Sequence, residues 1–361
     1  MVLTESATQA TPALTCEFNN NRWGIVLATG DIPVPPFRLR GRLVRNRPRQ
    51  YCTLVGSRSI FQHTIDRTQS LVPAENLITL IGPGHHKFLT GAMNRSLPGL
   101  LVEPPVDLGT APGFFLAAAY VLAQAPNATL LVCPSDQFVF PEEEFCRQIR
   151  QALHFAEVCT GNIILVGAEP TESETECGWI DPKHGREDVR GRSRGVMAVE
   201  NLREKPERVR EGVRLVPGSL RDTMILAVRG RTLWDLARLH LPEIMYQFEA
   251  FLRLLKAIHQ GQSSPEFEAF ALERLYEELP PADLWEDLLR HCPHQSLVFP
   301  LTGVDWCDWA NPQQVIETLD RLRRPEWEDG INTRIADQFR TMGKDNNAGM
   351  QRFKVGRIYA D

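Results

Sequence analysis

Short apolar runs rich in β-branched residues alternate along this chain with segments whose apolar residues recur every three or four positions, and that alternation admits few folds. Strands are expected over Gly24–Thr29, Leu77–Ile81, Thr129–Cys133, Ile163–Gly167, Val196–Glu200, Thr223–Arg229 and Leu297–Leu301. Helices are expected over Ser59–Ser70, Pro112–Gln124, Glu142–Val158, Thr232–His240, Glu243–His259 and Pro312–Leu322. Several early strands are almost wholly apolar, as strands covered on both faces must be. The pattern therefore predicts an α/β fold built on a doubly wound, mostly parallel sheet. Ligands of such a sheet bind beyond the carboxyl ends of its strands.

With 361 residues, 43% of them hydrophobic and 24% charged, the chain can bury one large core or two modest ones. A net charge of −5 and a pI near 6.0 leave no electrostatic footprint for nucleic acid. A local basic run, Arg38, Arg40, Arg42, Arg45, Arg47 and Arg49, reads as a solvated loop unless it lies beside a phosphate site. No stretch reaches the roughly 18 apolar residues of a membrane helix, and the first residues lack a basic start followed by an apolar block. A soluble cytoplasmic protein is the expectation. The eight cysteines are scattered, without a Cys-x-x-Cys pair, and read as reduced small hydrophobes. "HCPH" at His291–His294 reads as a helix end and loop rather than a metal site. Residues 1–22 and 326–361 are read as tails flanking one domain at 23–325, whose helical block from Thr232 to Leu289 is expected to pack across the late strands.

Three loops after strand ends carry unusual chemistry. "LATGDIPVPPF" reaches a glycine at Gly30 where a phosphate-binding turn would lie, then supplies Pro33, Pro35 and Pro36. "LLVCPSDQFVF" delivers Asp136 beyond an apolar strand, and "VDWCDWANP" carries Asp305 and Asp308 after another. Each alone is a weak signal, because an aspartate after a strand is ordinarily a turn or helix-cap residue.

In register, the motifs say more. "RPRQYCTLVGSRSIFQHTIDR", "VEPPVDLGTAP", "LLVCPSDQFVF", "ETECGWIDP", "VENLREKP" and "WCDWANP" resemble, in order and spacing, the mannose-1-phosphate guanylyltransferase group of the sugar-phosphate nucleotidyltransferases. The resemblance runs from about Trp23 to about Leu322 and implies a Rossmann-like nucleotidyltransferase fold of glycosyltransferase-A type. It also implies transfer of GMP from GTP to mannose 1-phosphate with release of pyrophosphate. Asp136 and Asp308 would hold Mg2+, one from each side of the cleft. Lys205 would neutralise the sugar phosphate, with Glu204, Glu176, Gly178 and Asp222 around the sugar. Arg49 stands where the group carries a catalytic lysine, while Ala28, Gly30, Gly109 and Thr110 would meet the nucleotide. A homo-oligomer or a partner subunit is compatible with the same resemblance.

The nucleotide half departs from the group's pattern. Where a glycine-rich loop ending in Thr-Arg-Leu is expected, this chain has Thr29, Gly30, Ile32, Pro33 and Val34, so one glycine remains and the arginine is missing. Proline lacks an N–H and fixes φ, which removes donors from a phosphate cradle and stiffens the turn. Gln137 replaces a histidine, and Arg221 and Asp222 replace an aromatic and an amide. Two readings follow: a nucleotidyltransferase weakened by loss of its loop, or a non-catalytic descendant that binds a sugar phosphate or nucleotide sugar.

Overall fold

The computed structural model describes residues 20–30, 38–39, 42–43, 48–53, 58–92, 97–170, 178–183, 195–203, 217–309 and 318. In chain order the strands are β1 (Arg22–Ala28), β2 (Arg38–Leu39), β3 (Arg42–Leu43), β4 (Leu77–Ile81), β5 (Leu100–Val102), β6 (Thr129–Pro134) and β7 (Phe138–Phe140), then β8 (Ile163–Ala168), β9 (Trp179–Pro182), β10 (Met197–Arg203), β11 (Leu220–Arg229), β12 (Ser296–Pro300) and β13 (Asp305–Cys307). The helices are α1 (Ile60–Gln69), α2 (His86–Ala92), α3 (Thr110–Gln124), α4 (Glu142–Val158), α5 (Gly230–His240), α6 (Pro242–His259), α7 (Glu266–Glu278) and α8 (Leu284–Asp287).

Among the described residues, nine strands form one sheet in the order β5-β4-β1-β6-β11-β8-β12-β10-β9. The first four run parallel, as the apolar runs predicted. Beyond them the sheet is mixed, because β11 lies antiparallel between β6 and β8, and β10 and β9 are antiparallel as well. Side chains alternate between faces with the period of two that a strand imposes. Trp23, Ile25, Leu130, Val132, Ile163 and Leu165 join one core with α3, α5 and α6. Val26, Ala28, Leu131, Cys133, Ile164 and Val166 join a second core, on the other face, with α1 and α4.

Local chemistry starts these helices where they start. Ser59 and Gln62 close a reciprocal capping box on α1. Glu142, Glu143 and Glu144 place negative charge at the amino end of α4, where the helix dipole favours it. The apolar α3 is buried through most of its length between the sheet and α6, so the late helical block covers α3 as well as the sheet. Three expectations fall outside the described residues: the carboxyl-terminal tail, most of the amino-terminal tail, and the helix over Pro312–Leu322 apart from Thr318. β1 begins at Arg22, one residue ahead of the expected domain boundary. Among the described residues the cysteines are free, and burial pushes the Cys133 thiol up to about 12. No described helix is long and apolar enough to cross a membrane.

Candidate active site

The carboxyl ends of β1, β4, β6, β8 and β12 share one edge of the sheet, and the sequence-predicted loops converge there. β6 ends at Pro134, and the Ser135 N–H donates to the Leu27 carbonyl at 3.0 Å, fixing the loop that carries Asp136 against β1. Arg49 opens a 3-10 turn over Arg49–Tyr51. Its Nε and Nη2 donate to one oxygen of Asp136, Oδ2, at 3.1 and 2.5 Å, and its Nη1 donates to the Trp309 carbonyl at 3.1 Å. The Arg49 and Asp136 side chains are 12% and 26% exposed, so water screens this ion pair less than one on the open surface.

The short strands β7 and β13 pair antiparallel, with Phe138 opposite Cys307. Asp136 and Asp308 each lie just beyond that end of the ribbon, and the Phe138 ring stacks on Trp309 at 5.0 Å between centroids. The structure thus brings Arg49, Asp136 and the Asp308 segment together. The sequence reading has the two aspartates approach one metal from either side of a cleft; the ribbon makes their segments neighbours.

Gln137, buried behind Asp136, ties this ribbon to the sheet. Its Oε1 accepts from Trp306 Nε1 at 3.0 Å, its Nε2 donates to the Thr223 carbonyl at 2.5 Å, and its own carbonyl accepts from Arg67 Nη2 at 3.2 Å. Sequence reasoning registered Gln137 only as a replacement, since nothing in the linear pattern shows three tertiary partners. The Thr223 carbonyl belongs to an irregularity in β11, where the register shifts between Asp222 and Leu226 and Met224 adopts a φ of 57°.

Asp222 sits at that irregularity. Its N–H donates to the Gly178 carbonyl at 2.9 Å, and its Oδ1 accepts from the Met224 N–H at 3.0 Å. Burial pushes its carboxyl up to about 7, against the lowering effect of the Met224 N–H. Of the expected sugar-side residues, Asp222 and Gly178 therefore meet, while Glu176, Glu204 and Lys205 lie outside the described residues. Arg203, the last residue of β10, is held by Asp181 at 2.6 and 2.8 Å, which anchors the strand leading to Glu204.

At the opening loop, the Gln50 side-chain amide donates to the carbonyls of Ala28 and Gly30 at 3.2 and 2.7 Å. Tyr51 Oη also donates to the Ala28 carbonyl, at 3.4 Å, and His85 Nδ1 lies 3.3 Å from it. Gln50, Tyr51 and His85 were not singled out from the sequence, although two of them adjoin Arg49. Gly30 is exposed, its φ lies outside the left-handed region, and a Cβ there would meet nothing within 4 Å. Ile32, Pro33 and Val34 lie outside the described residues.

Gly109 and Thr110 are bound to a different neighbour. Gly109, at the amino end of α3, has φ 94°, and a Cβ there would stand 2.4 Å from the Ala282 carbonyl oxygen. The Thr110 hydroxyl donates to Asp283 Oδ2 at 2.8 Å and accepts from the Leu284 N–H at 2.7 Å. The Gly109 N–H donates to Asp107, and that of Ala111 to the Ala282 carbonyl. This helix start spends those donors on its own chain.

As to a metal, carboxylate oxygens are the donors that magnesium prefers. Here Asp136 Oδ2 already receives two guanidinium N–H groups, and among the described residues no three His, Cys, Asp or Glu side chains gather to hold an ion. The cluster as folded is a cation–carboxylate pair and does not fit magnesium without displacing Arg49. The histidines of "HCPH" lie in 3-10 turns around a buried Cys292.

No protein-family model matches the chain. The mannose-1-phosphate guanylyltransferase of Salmonella montevideo is 35% identical over 136 residues, which are 37% of this chain and 28% of that protein. The xanthan biosynthesis protein XanB of Xanthomonas campestris pv. campestris strain B100 is 29% identical over 163 residues, 44% of this chain and 32% of that protein. The chain thus matches about a third or less of the length of these curated relatives. Among solved structures, the mannose-1-phosphate geranyltransferase of Thermus thermophilus superposes with a TM-score of 0.61 at 22% identity, covering 84% of this chain and 79% of that one. The mannose-6-phosphate isomerase of Helicobacter pylori superposes with a TM-score of 0.56 at 16% identity, covering 80% of this chain and 99% of that one. At such identities structural likeness establishes the fold. The chain is a homologue of mannose-1-phosphate guanylyltransferases over part of its length, and it has the α/β nucleotidyltransferase fold, as its motifs led one to expect.

Proposed function

We propose that this chain is a sugar-phosphate nucleotidyltransferase-like protein that receives a sugar 1-phosphate, mannose 1-phosphate first among them, and a nucleoside triphosphate, GTP first among them, at the carboxyl edge of its sheet, and that it transfers the nucleotidyl group slowly. One observation carries this reading. Arg49, the residue in the place of the group's lysine, donates to Asp136 and to the Trp309 carbonyl next to Asp308, which supports reading these three segments as one charged site.

In such a transfer a sugar-phosphate oxygen attacks the α-phosphorus in line and pyrophosphate leaves, so positioning and offset of developing charge make up most of the catalysis. Arg49 supplies a planar fork of donors suited to phosphate oxygens. Asp222 and Gly178 border the sugar side, where Lys205 and Glu204 would face the sugar phosphate and hydroxyls. Gly30 and Ala28 would approach the triphosphate through backbone alone, with Gly109 and Thr110 farther along the same edge. The weakness lies in the opening loop, where prolines replace N–H donors and no arginine follows. No step is assigned to magnesium, since its expected ligand Asp136 is paired with Arg49. The same reading places the protein in the cytoplasm, as a homo-oligomer or beside a partner subunit.

The test is pyrophosphate release from GTP and mannose 1-phosphate by the full chain. Turnover below about 1 s⁻¹ is expected, under the ordinary enzyme range of about 1 to 10³ s⁻¹. Returning a glycine, an N–H and a charge together, by Ile32→Gly, Pro33→Thr and Val34→Arg, should raise the rate by roughly 10²- to 10³-fold. Ordinary turnover by the unaltered chain would overturn the claim of impairment. A second reading, a non-catalytic binder of sugar phosphate, is favoured by the Arg49–Asp136 pair itself. It would be established by calorimetric binding of mannose 1-phosphate with neither protein reacting.

A further inference from the structure

We infer that Arg49 is a resident cation of this cleft: its guanidinium occupies the place on Asp136 that a divalent metal would take, so the unliganded protein is neutralised from within and binds divalent metal weakly. The inference rests on the proposed nucleotidyltransferase-type reading only in taking Asp136 as the metal-side carboxylate.

Four observations converge on it. Both Arg49 contacts to the carboxylate fall on the same oxygen, Oδ2, and so put the guanidinium directly on the carboxylate expected to meet a metal. A third donor, Nη1, is anchored on the Trp309 carbonyl, so the guanidinium is held between the two aspartate-bearing segments rather than swinging on one tether. The backbone beneath it is fixed as well. Cys52 N–H donates to the Arg49 carbonyl at 2.9 Å, and the next two residues, Gln50 and Tyr51, are buried and bonded to the end of β1. Finally, the Arg49 side chain is 12% exposed, so withdrawing it into water would leave the Asp136 carboxylate half-buried without its partner.

The residue type matters. A lysine in this place is a compact ammonium on a flexible stem, able to move aside for a metal or to lose its proton. An arginine does neither. Its planar fork gives one N–H from each of its three nitrogens to Asp136 and the Trp309 carbonyl, so a divalent ion approaching Oδ2 meets a like charge that is held in place.

Mn2+ tests this directly, with no nucleotide present. The free ion is counted by electron paramagnetic resonance in solutions of the full chain. Wild-type protein is expected to show no saturable site up to about 1 mM, the weak end of oxygen-donor cation sites. Arg49→Ala is expected to bind one Mn2+ at least about tenfold more tightly, since it frees the carboxylate. Adding Asp136→Asn to that variant should remove the gain. Should the alanine protein fail to fold, Arg49→Gln, which keeps part of the side chain's length and an N–H donor without the charge, carries the same expectation. A single tight Mn2+ site in the wild type that Asp136→Asn abolishes would overturn the inference, and so would a folded Arg49 variant that binds no better than wild type. Mannose 1-phosphate binding measured in excess chelator reports separately on the proposed function, so the two can fail independently.

Discussion

Asp222 shows how much a single residue can make of its surroundings. An ordinary carboxylate titrates near 4, whereas burial lifts this one to about 7 with one backbone N–H to oppose the rise. Between those values the folded protein keeps a proton that the unfolded chain has lost. Stability from this group is therefore fully present below about pH 4 and is lost as pH rises through about 7, at most on the order of 4 kcal/mol across the window. Asp222→Asn can keep the Met224 contact through its side-chain oxygen while removing the titration. Its urea midpoint should stay flatter than wild type between pH 5 and 8, and parallel profiles would refute the assignment. A neutral Asp222 at mildly acid pH would also suit a sugar hydroxyl better than an extra charge beside a phosphate.

Among elements, the amino end of α3 is the place where a sequence motif and its structural duty part company. "DLGTAP" keeps the glycine and threonine that a nucleotide would use, yet those residues clip α3 to the start of α8 through Ala282, Asp283 and Leu284. Gly109→Ala would force a Cβ into a left-handed φ against the Ala282 carbonyl, at a cost of roughly 1 to 3 kcal/mol in urea unfolding. Gly30→Ala, two residues past the end of β1, meets no such obstacle and should change stability by less than about 0.5 kcal/mol. A reversed order would refute both structural assignments. Long elements were legible because their periodicity repeats: β4 and α4 fall on the bounds expected from apolar spacing. The three-residue strands β7 and β13 were not, since so short a run has no period to detect, and they are the elements that bring the Asp308 segment beside Asp136. The Arg49–Asp136 pair was hidden for another reason. Its members stand 87 positions apart, and sequence separation carries no sign of contact.

For the whole molecule, the alternation of strand and helix disclosed the α/β class and the two covered faces of the sheet, but not that β11 runs against both its neighbours. Nothing in an apolar run states its direction. That reversed strand has a consequence for how the protein is made. The parallel group β5, β4, β1 and β6 is complete once Pro134 has been synthesised, but its β6 side remains an unpaired apolar edge until β11 follows. At about 5 to 20 residues per second, the roughly ninety residues between Pro134 and Leu220 keep that edge open on the ribosome for about 4 to 18 s. Nascent chains stalled short of Leu220 should therefore be retained by chaperones that bind exposed strands, and chains stalled well past Arg229 should be released. Equal retention of both would show that β6 finds its shelter elsewhere. β11 thus acts in time as well as in space, as the strand whose arrival ends the period in which a growing chain can pair with another copy of itself.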